Sequence, residues 1–95
     1  GTMEQGSDWQ LYILHCGDGT YYTGIARDAE KRLRQHRSGK GAKYTRGRGP
    51  LELAYLENCP DHSTALRREC AVKQLSRQEK ERLIAAPSNE LYKNR

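Results

Sequence analysis

Three features of the chain predict an α+β domain: two strand-like runs broken by glycines at the start, a third such run standing alone in the middle, and helix signals between and after them. The order they predict is ββαβαα, a small three-stranded antiparallel sheet flanked by helices. Ninety-five residues fit one domain.

Gly1 and Thr2 ahead of Met3 read as a cloning remnant, and residues 1–8 are polar, without periodicity, and expected to be disordered. Trp9 to Cys16 is rich in β-branched and aromatic residues, Gly17-Asp18-Gly19 interrupts it, and Thr20 to Ile25 resumes it, which predicts a hairpin. Its loop length decides which side chains share a face. A two-residue Asp18-Gly19 loop pairs Tyr12 with Ile25 and sets Tyr12 and Tyr22 on opposite faces. A three-residue loop, with Gly19 as its left-handed residue, pairs Tyr12 with Gly24 and sets both tyrosines on one face.

Asp28 is placed to cap a helix with Glu30 in its first turn, Ala29 and Leu33 on its core side, and an end near Ser38-Gly39. Gly39 to Pro50 is Gly-rich and basic and predicts a loop with one irregular helical turn. Leu51 to Asn58 alternates Leu51, Leu53 and Tyr55 against Glu52, Ala54 and Leu56, which predicts a third strand apolar mainly on one face. After Asn58-Cys59-Pro60-Asp61, helix signals return, and Ala65, Leu66, Cys70 and Val72 trace a stripe running to about Leu75. Ser76-Arg77-Gln78-Glu79 is a capping box for one more helix, with Leu83 and Ile84 as its apolar contacts and Pro87 beyond its end. The folded domain is expected over residues 9–86, with 87–95 a polar tail.

Apolar residues are 35% of the chain and Phe is absent, so a thin core of aliphatic residues, Tyr and Trp is expected. No run approaches the roughly 20 residues of a membrane span and no secretory pattern opens the chain, so the expected location is the cytoplasm. Cys16, Cys59 and Cys70 include no Cys-x-x-Cys pair and are expected as reduced, buried small hydrophobes. Cys59-x-x-His62 opens like a zinc site, but the four ligands needed would have to draw on Cys70 and His15 or His36.

The net charge of +5 is unevenly spread. Between residues 27 and 48 lie Arg27, Lys31, Arg32, Arg34, Arg37, Lys40, Lys43, Arg46 and Arg48 against only Asp28 and Glu30. That density suits a polyanion, with nucleic acid the leading partner; a merely solvated basic surface is the alternative. Gly39-Lys40-Gly41 lacks the spacing of a nucleotide-binding loop and follows a helix instead of a strand.

Arg32 and His36, four apart, share one face of the first helix beside Ala29 and Leu33. Glu69 falls inside the apolar arc of its helix, where a carboxylate needs a partner: a salt bridge to Lys73 or an arginine, or a metal ion. Tyr12 and Tyr22 are either ordinary strand tyrosines or a cooperating pair, and the pair requires the odd hairpin loop.

Leu11-Tyr12-Ile13 followed by Tyr22-Thr23-Gly24 resembles the paired strands of the GIY-YIG nucleases. Ala26 to His36 is similar to that family's first helix, with its arginine and histidine four apart, and Glu69 in Ala65-Leu66-Arg67-Arg68-Glu69 matches its metal-binding glutamate. Short stand-alone bacterial members also resemble this chain through Gly39 to Arg46 and Leu75-Ser76-Arg77, so the likeness spans about Trp9 to Ile84. Gln10 stands where the family name has glycine and Thr23 where it has isoleucine; Asn89 is the candidate for the carboxy-terminal asparagine of some members.

The resemblance implies a metal-dependent endonuclease acting on DNA in repair, recombination or processing, with a non-catalytic nucleic-acid-binding module on the same fold as the alternative. Its catalytic residues would be Tyr12, Tyr22, Arg32, His36 and Glu69. Glu69 would hold one Mg²⁺ or Mn²⁺ ion and Arg32 would grip the attacked phosphate. Tyr12 or His36 would be the general base, and Tyr12 in that role needs its pKa lowered by the basic surroundings. Arg27, Lys40, Lys43, Arg46, Arg48 and Lys73 would contact phosphates and Tyr44 would stack on an unpaired base.

Overall fold

A computed structural model describes residues 9–40, 47, 49–87 and 89–93, with backbone alone at 92 and 93. Its elements are β1 (Trp9–Cys16), β2 (Tyr21–Ala26), α1 (Ala29–Arg37), β3 (Leu51–Cys59), α2 (His62–Lys73), α3 (Arg77–Ile84) and α4 (Glu90–Lys93). The three strands form an antiparallel sheet in the order β2-β1-β3. This is the α+β arrangement expected, with one short helix added.

Because β1 is central, both of its faces are covered and Leu11 to Leu14 are all buried. Tyr12, Leu14 and Cys16 join Ala29 and Leu33 of α1 on one face. Leu11 and Ile13 join Ala65 and Val72 of α2 on the other, where Leu83 and Ile84 of α3 close the layer. A strand buried on both sides reads as a continuous apolar run, as Leu11-Tyr12-Ile13-Leu14 does.

The hairpin between β1 and β2 has the three-residue loop. Gly19 takes φ +88°, its amide donates to the Cys16 carbonyl at 2.9 Å, and the Cys16 amide donates to the Thr20 carbonyl at 2.8 Å. The register therefore pairs Tyr12 with Gly24, and Tyr12 and Tyr22 share a face. Asp28, Asp61 and Ser76 cap α1, α2 and α3, the last with a complete capping box.

Two side-chain assignments are corrected. A bulge shifts the β1–β3 register between Ile13 and Leu14, so Leu51 and Leu53 pack on the α1 face while Tyr55 points to the α2 face. The one-faced alternation expected of β3 is broken there. In α2 the buried line runs through Ala65 and Val72, which leaves Leu66 and Cys70 exposed; Cys70 is not a core residue, whereas Cys16 and Cys59 are.

The segment expected as a tail from residue 87 continues the packing. Asn89 is fully buried, and α4 follows with Leu91 against the Tyr12 cluster. The Asn89 amide donates to the carbonyls of Ala54 (3.0 Å) and Ile84 (2.8 Å), and its oxygen accepts from the amides of Leu56 (3.2 Å) and Leu91 (3.1 Å). It thus supplies partners to backbone groups flanking Tyr55 in an edge strand that would otherwise be buried unpaired. Among the described residues no helix is long and apolar enough to cross a membrane. The expected disorder of residues 1–8 and most of the Gly39–Pro50 loop lie outside the described residues.

Candidate active site

The α1 face of the sheet gathers three of the five residues singled out as catalytic. The Tyr12 hydroxyl lies 3.1 Å from Nε2 of His36, and the rings of Tyr12, Tyr22 and His36 are neighbours, with centroids 5.3 to 6.4 Å apart. Helix spacing explains His36: Ala29 and Leu33 seat α1 on the sheet, and His36 continues the same stripe, only 2% exposed. The hairpin register places Gly24 opposite Tyr12, where the phenol lies over a backbone with no Cβ; an added methyl would meet the hydroxyl at 2.7 Å.

Arg32 and Glu69 act on the same phenol. The Arg32 guanidinium lowers the pKa of the Tyr12 hydroxyl and the Glu69 charge raises it. Arg32 also donates to Gln35 at 2.8 Å, which fixes its outer end. Glu69 lies one turn beyond Ala65 in α2, beside the buried Ala65–Val72 line, with its side chain 21% exposed. Lys73 is 3.4 Å away, but that lysine is half exposed, so the pair is a solvent-screened contact on one side of the carboxylate.

Burial dominates the electrostatics of the pair at the centre. It pushes the Tyr12 phenol up to about 12, helped by Tyr22 and Glu69 and opposed by Arg32. Of the two general-base readings, the one through Tyr12 needs a lowered pKa, and here desolvation outweighs the nearby arginine. Burial, and then the Arg32 charge, lowers His36 below the usual histidine range, so its imidazole is neutral at pH 7. The imidazole and the phenol are thus hydrogen-bond partners, both held uncharged by their burial.

Glu69 carries hard oxygen donors, and among the described residues no group of three or more His, Cys, Asp or Glu converges on a metal position. A single carboxylate fits an ion whose other positions go to water and phosphate, the usual manner of Mg²⁺. The chain's donors therefore suit Mg²⁺ or Mn²⁺ carried together with substrate.

The basic residues divide. Arg27 lies with its guanidinium 5.3 Å from the Trp9 ring centre, and Ala26, Arg27, Asp28, Lys31, Arg32 and Gln35 line a cleft of about 240 Å³ leading to Arg32. Lys40 is exposed at the end of α1, and Lys73 is engaged with Glu69. Arg37 is committed to structure, donating twice to the Leu51 carbonyl at 3.1 and 2.8 Å. Lys43, Tyr44, Arg46 and Arg48 lie outside the described residues.

The sequence profile of the GIY-YIG catalytic domain matches residues 8–82. The chain belongs to the GIY-YIG family. It thereby carries a nuclease-type catalytic domain on a fold associated with nucleic acid. Among its relatives, a UPF0213 protein of Klebsiella pneumoniae is 52% identical over 77 residues, covering 81% of this chain and 73% of the relative. A UPF0213 protein of Halobacterium salinarum is 51% identical over 74 residues, covering 78% of this chain and 96% of the relative. The solution NMR structure of a UPF0213 protein from Bacillus halodurans superposes with a TM-score of 0.56 at 47% identity, covering 85% of this chain and 86% of that one.

Of the two departures from the GIY-YIG pattern, Gln10 acquires a structural account and Thr23 does not. Gln10 accepts a hydrogen bond from the Ala29 amide at 2.8 Å, tying β1 to the first turn of the helix that carries Arg32 and His36. Thr23 pairs with Ile13 across the hairpin, is 3% exposed, and its hydroxyl has no hydrogen-bond partner among the described residues. Asn89 serves the β3 edge. The three-residue loop already paired Gly24 with Tyr12 in the sequence; what the structure adds is the close approach of the phenol to the Gly24 backbone.

Proposed function

We propose that the protein is an endonuclease that hydrolyses phosphodiester bonds in DNA with one Mg²⁺ or Mn²⁺ ion held by Glu69. The observation that carries this reading is the 3.1 Å contact between a protonated Tyr12 and a neutral His36, with Arg32 and Glu69 acting on the same phenol. Phosphodiester hydrolysis needs a deprotonated water, neutralisation of charge on the phosphoryl oxygens and stabilisation of the departing alkoxide.

In this reading the Tyr12 oxygen orients the attacking water and takes its proton while passing its own to Nε2 of His36. The histidine then stores the positive charge next to the anionic phosphate. Arg32, permanently charged and able to donate two parallel hydrogen bonds, holds the attacked phosphate, and the Arg27–Lys31–Arg32 cleft guides the strand to it. Tyr22 packs against His36 and keeps its ring in place. The ion, when bound, would supply Lewis-acid stabilisation of the leaving oxygen. Such cleavage belongs to repair, recombination or processing of DNA, and we place the protein in the cytoplasm.

The test is incubation of purified protein with single-stranded, duplex and branched DNA and with RNA, each with Mg²⁺, Mn²⁺ or EDTA. Cleavage that requires the ion and is lost in Glu69→Ala is the expected result. Binding without cleavage of any substrate, or cleavage unchanged in Glu69→Ala, overturns it.

A further inference from the structure

The face of the sheet away from Tyr12 carries a polar tie that the chemistry above does not use. Arg68 of α2 grips Glu57 of β3 through two hydrogen bonds, 2.7 and 2.9 Å, and the fully buried Tyr55 donates its hydroxyl to the same carboxylate at 2.6 Å. Glu57 is 20% exposed and Arg68 39%, so the pair is partly desolvated. The bulge in β3 is what turns Tyr55 to this face.

Arg68 is the residue before Glu69. At about 100° per residue, Arg68 projects roughly 60° to one side of Ala65 and Glu69 roughly 40° to the other. The two side chains therefore flank the buried Ala65–Val72 line of α2, Arg68 on the side where it reaches Glu57 of β3 and Glu69 on the other. Ala65 and Val72 hold the helix down, but apolar contact is non-directional and leaves its rotation about its own axis weakly determined. A two-pronged guanidinium–carboxylate bond has a defined orientation, and a rotation of α2 that breaks it also swings Glu69.

We propose that the Tyr55–Glu57–Arg68 tie sets the roll of α2 and so presents the Glu69 carboxylate to the divalent ion, making Glu57 and Arg68 positioning residues for the metal site. This rests on the reading of Glu69 as the metal ligand. Outer partners that orient a ligand change metal affinity by about 10- to 100-fold when removed.

The experiment compares wild type, Glu57→Gln, Arg68→Met, the milder Tyr55→Phe and, as a control on the exposed face of α3, Gln78→Ala. Two readouts are taken: the Mn²⁺ concentration giving half-maximal cleavage, and Mn²⁺-induced paramagnetic broadening of the amide NMR signals around Glu69 and Tyr12 without DNA. We expect Glu57→Gln and Arg68→Met to raise the Mn²⁺ requirement about tenfold and to weaken the broadening at a given Mn²⁺ concentration. The rate at saturating Mn²⁺ should stay within about twofold, and Gln78→Ala should leave the Mn²⁺ requirement unchanged. Tyr55→Phe, which removes one hydrogen bond and keeps the ion pair, shifts the requirement in the same direction by less and carries the test if the charge variants do not fold. Native NMR spectra with unchanged Mn²⁺ requirement and broadening overturn the inference. So does a fall in saturating rate at a fixed Mn²⁺ requirement. If Glu69→Ala abolishes cleavage while Glu57→Gln behaves as wild type, the positioning role falls and the nuclease reading stands. If wild type shows no broadening centred on Glu69, both fall.

Discussion

Replacing Gly24 by alanine isolates the site from the fold. A Cβ at this position would lie 2.7 Å from the Tyr12 hydroxyl, 2.8 Å from its Cζ and 3.3 Å from Cε2 of Tyr22. Ordinary contact is about 3.5–4.0 Å, so the phenol must move outward by nearly 1 Å. Tyr12 is 1% exposed and holds His36 at 3.1 Å, which leaves little room for that movement. Overpacking of this kind costs about 1–3 kcal/mol, and because the obstructing atoms are at the end of a side chain the lower figure applies. For a domain of this size about 1 kcal/mol lowers the melting temperature by about 4–8 °C. A displacement of about 1 Å between reacting groups lowers the rate on the order of 100-fold. The assay is single-turnover cleavage at saturating Mn²⁺ beside thermal unfolding by circular dichroism. Gly49→Ala, whose Cβ meets nothing within 4 Å, serves as control. A Gly24→Ala protein with the wild-type rate and melting temperature would refute the placement of Tyr12 over the β2 backbone.

The pH profile tests the Tyr12–His36 assignment: with His36 lowered, cleavage should hold through neutrality and fall only below about pH 6.5. A phenol at about 12 adds no titration between pH 7 and 10, so a cleavage rate rising through that window would restore Tyr12 as a directly ionising base. Stability follows the same sign. A depressed folded-state pKa means that the unfolded chain binds more protons, so stability is whole above the unfolded pKa near 6.5 and declines as pH falls toward the folded value, a decline that His36→Gln should reduce in denaturant titrations. Asn89→Ala removes partners from Leu56, Ala54 and Ile84 and should cost about 2–3 kcal/mol in urea unfolding; a loss under about 0.5 kcal/mol would contradict its role at the β3 edge. Thr23→Val replaces a buried hydroxyl lacking a partner and should stabilise by about 0.5–1 kcal/mol, whereas destabilisation would reveal a hydrogen bond at that hydroxyl.

Features determined by the sequence alone are those set by short-range physics. The Gly17–Gly19 break confines the hairpin to two loop lengths, and the structure selects the three-residue one, with Gly19 left-handed and Tyr12 and Tyr22 on one face. Asp28, Asp61 and the Ser76–Glu79 box start the helices where they stand, and a four-residue spacing puts Arg32 and His36 on one side of α1. Each depends on backbone and side chains a few residues apart, so the local pattern contains the whole cause. What only the tertiary structure decided involves partners distant in the chain. The β3 bulge turns Tyr55 away from Leu51 and Leu53, which no alternation in Leu51–Asn58 announces, because the shift belongs to the pairing with β1. Asn89 reads as tail until it meets Ala54 and Leu56, more than 30 positions earlier. The upward shift of Tyr12 likewise follows from burial that α1 and the sheet impose together: nearby arginines are visible in sequence, but the loss of water that outweighs them is not.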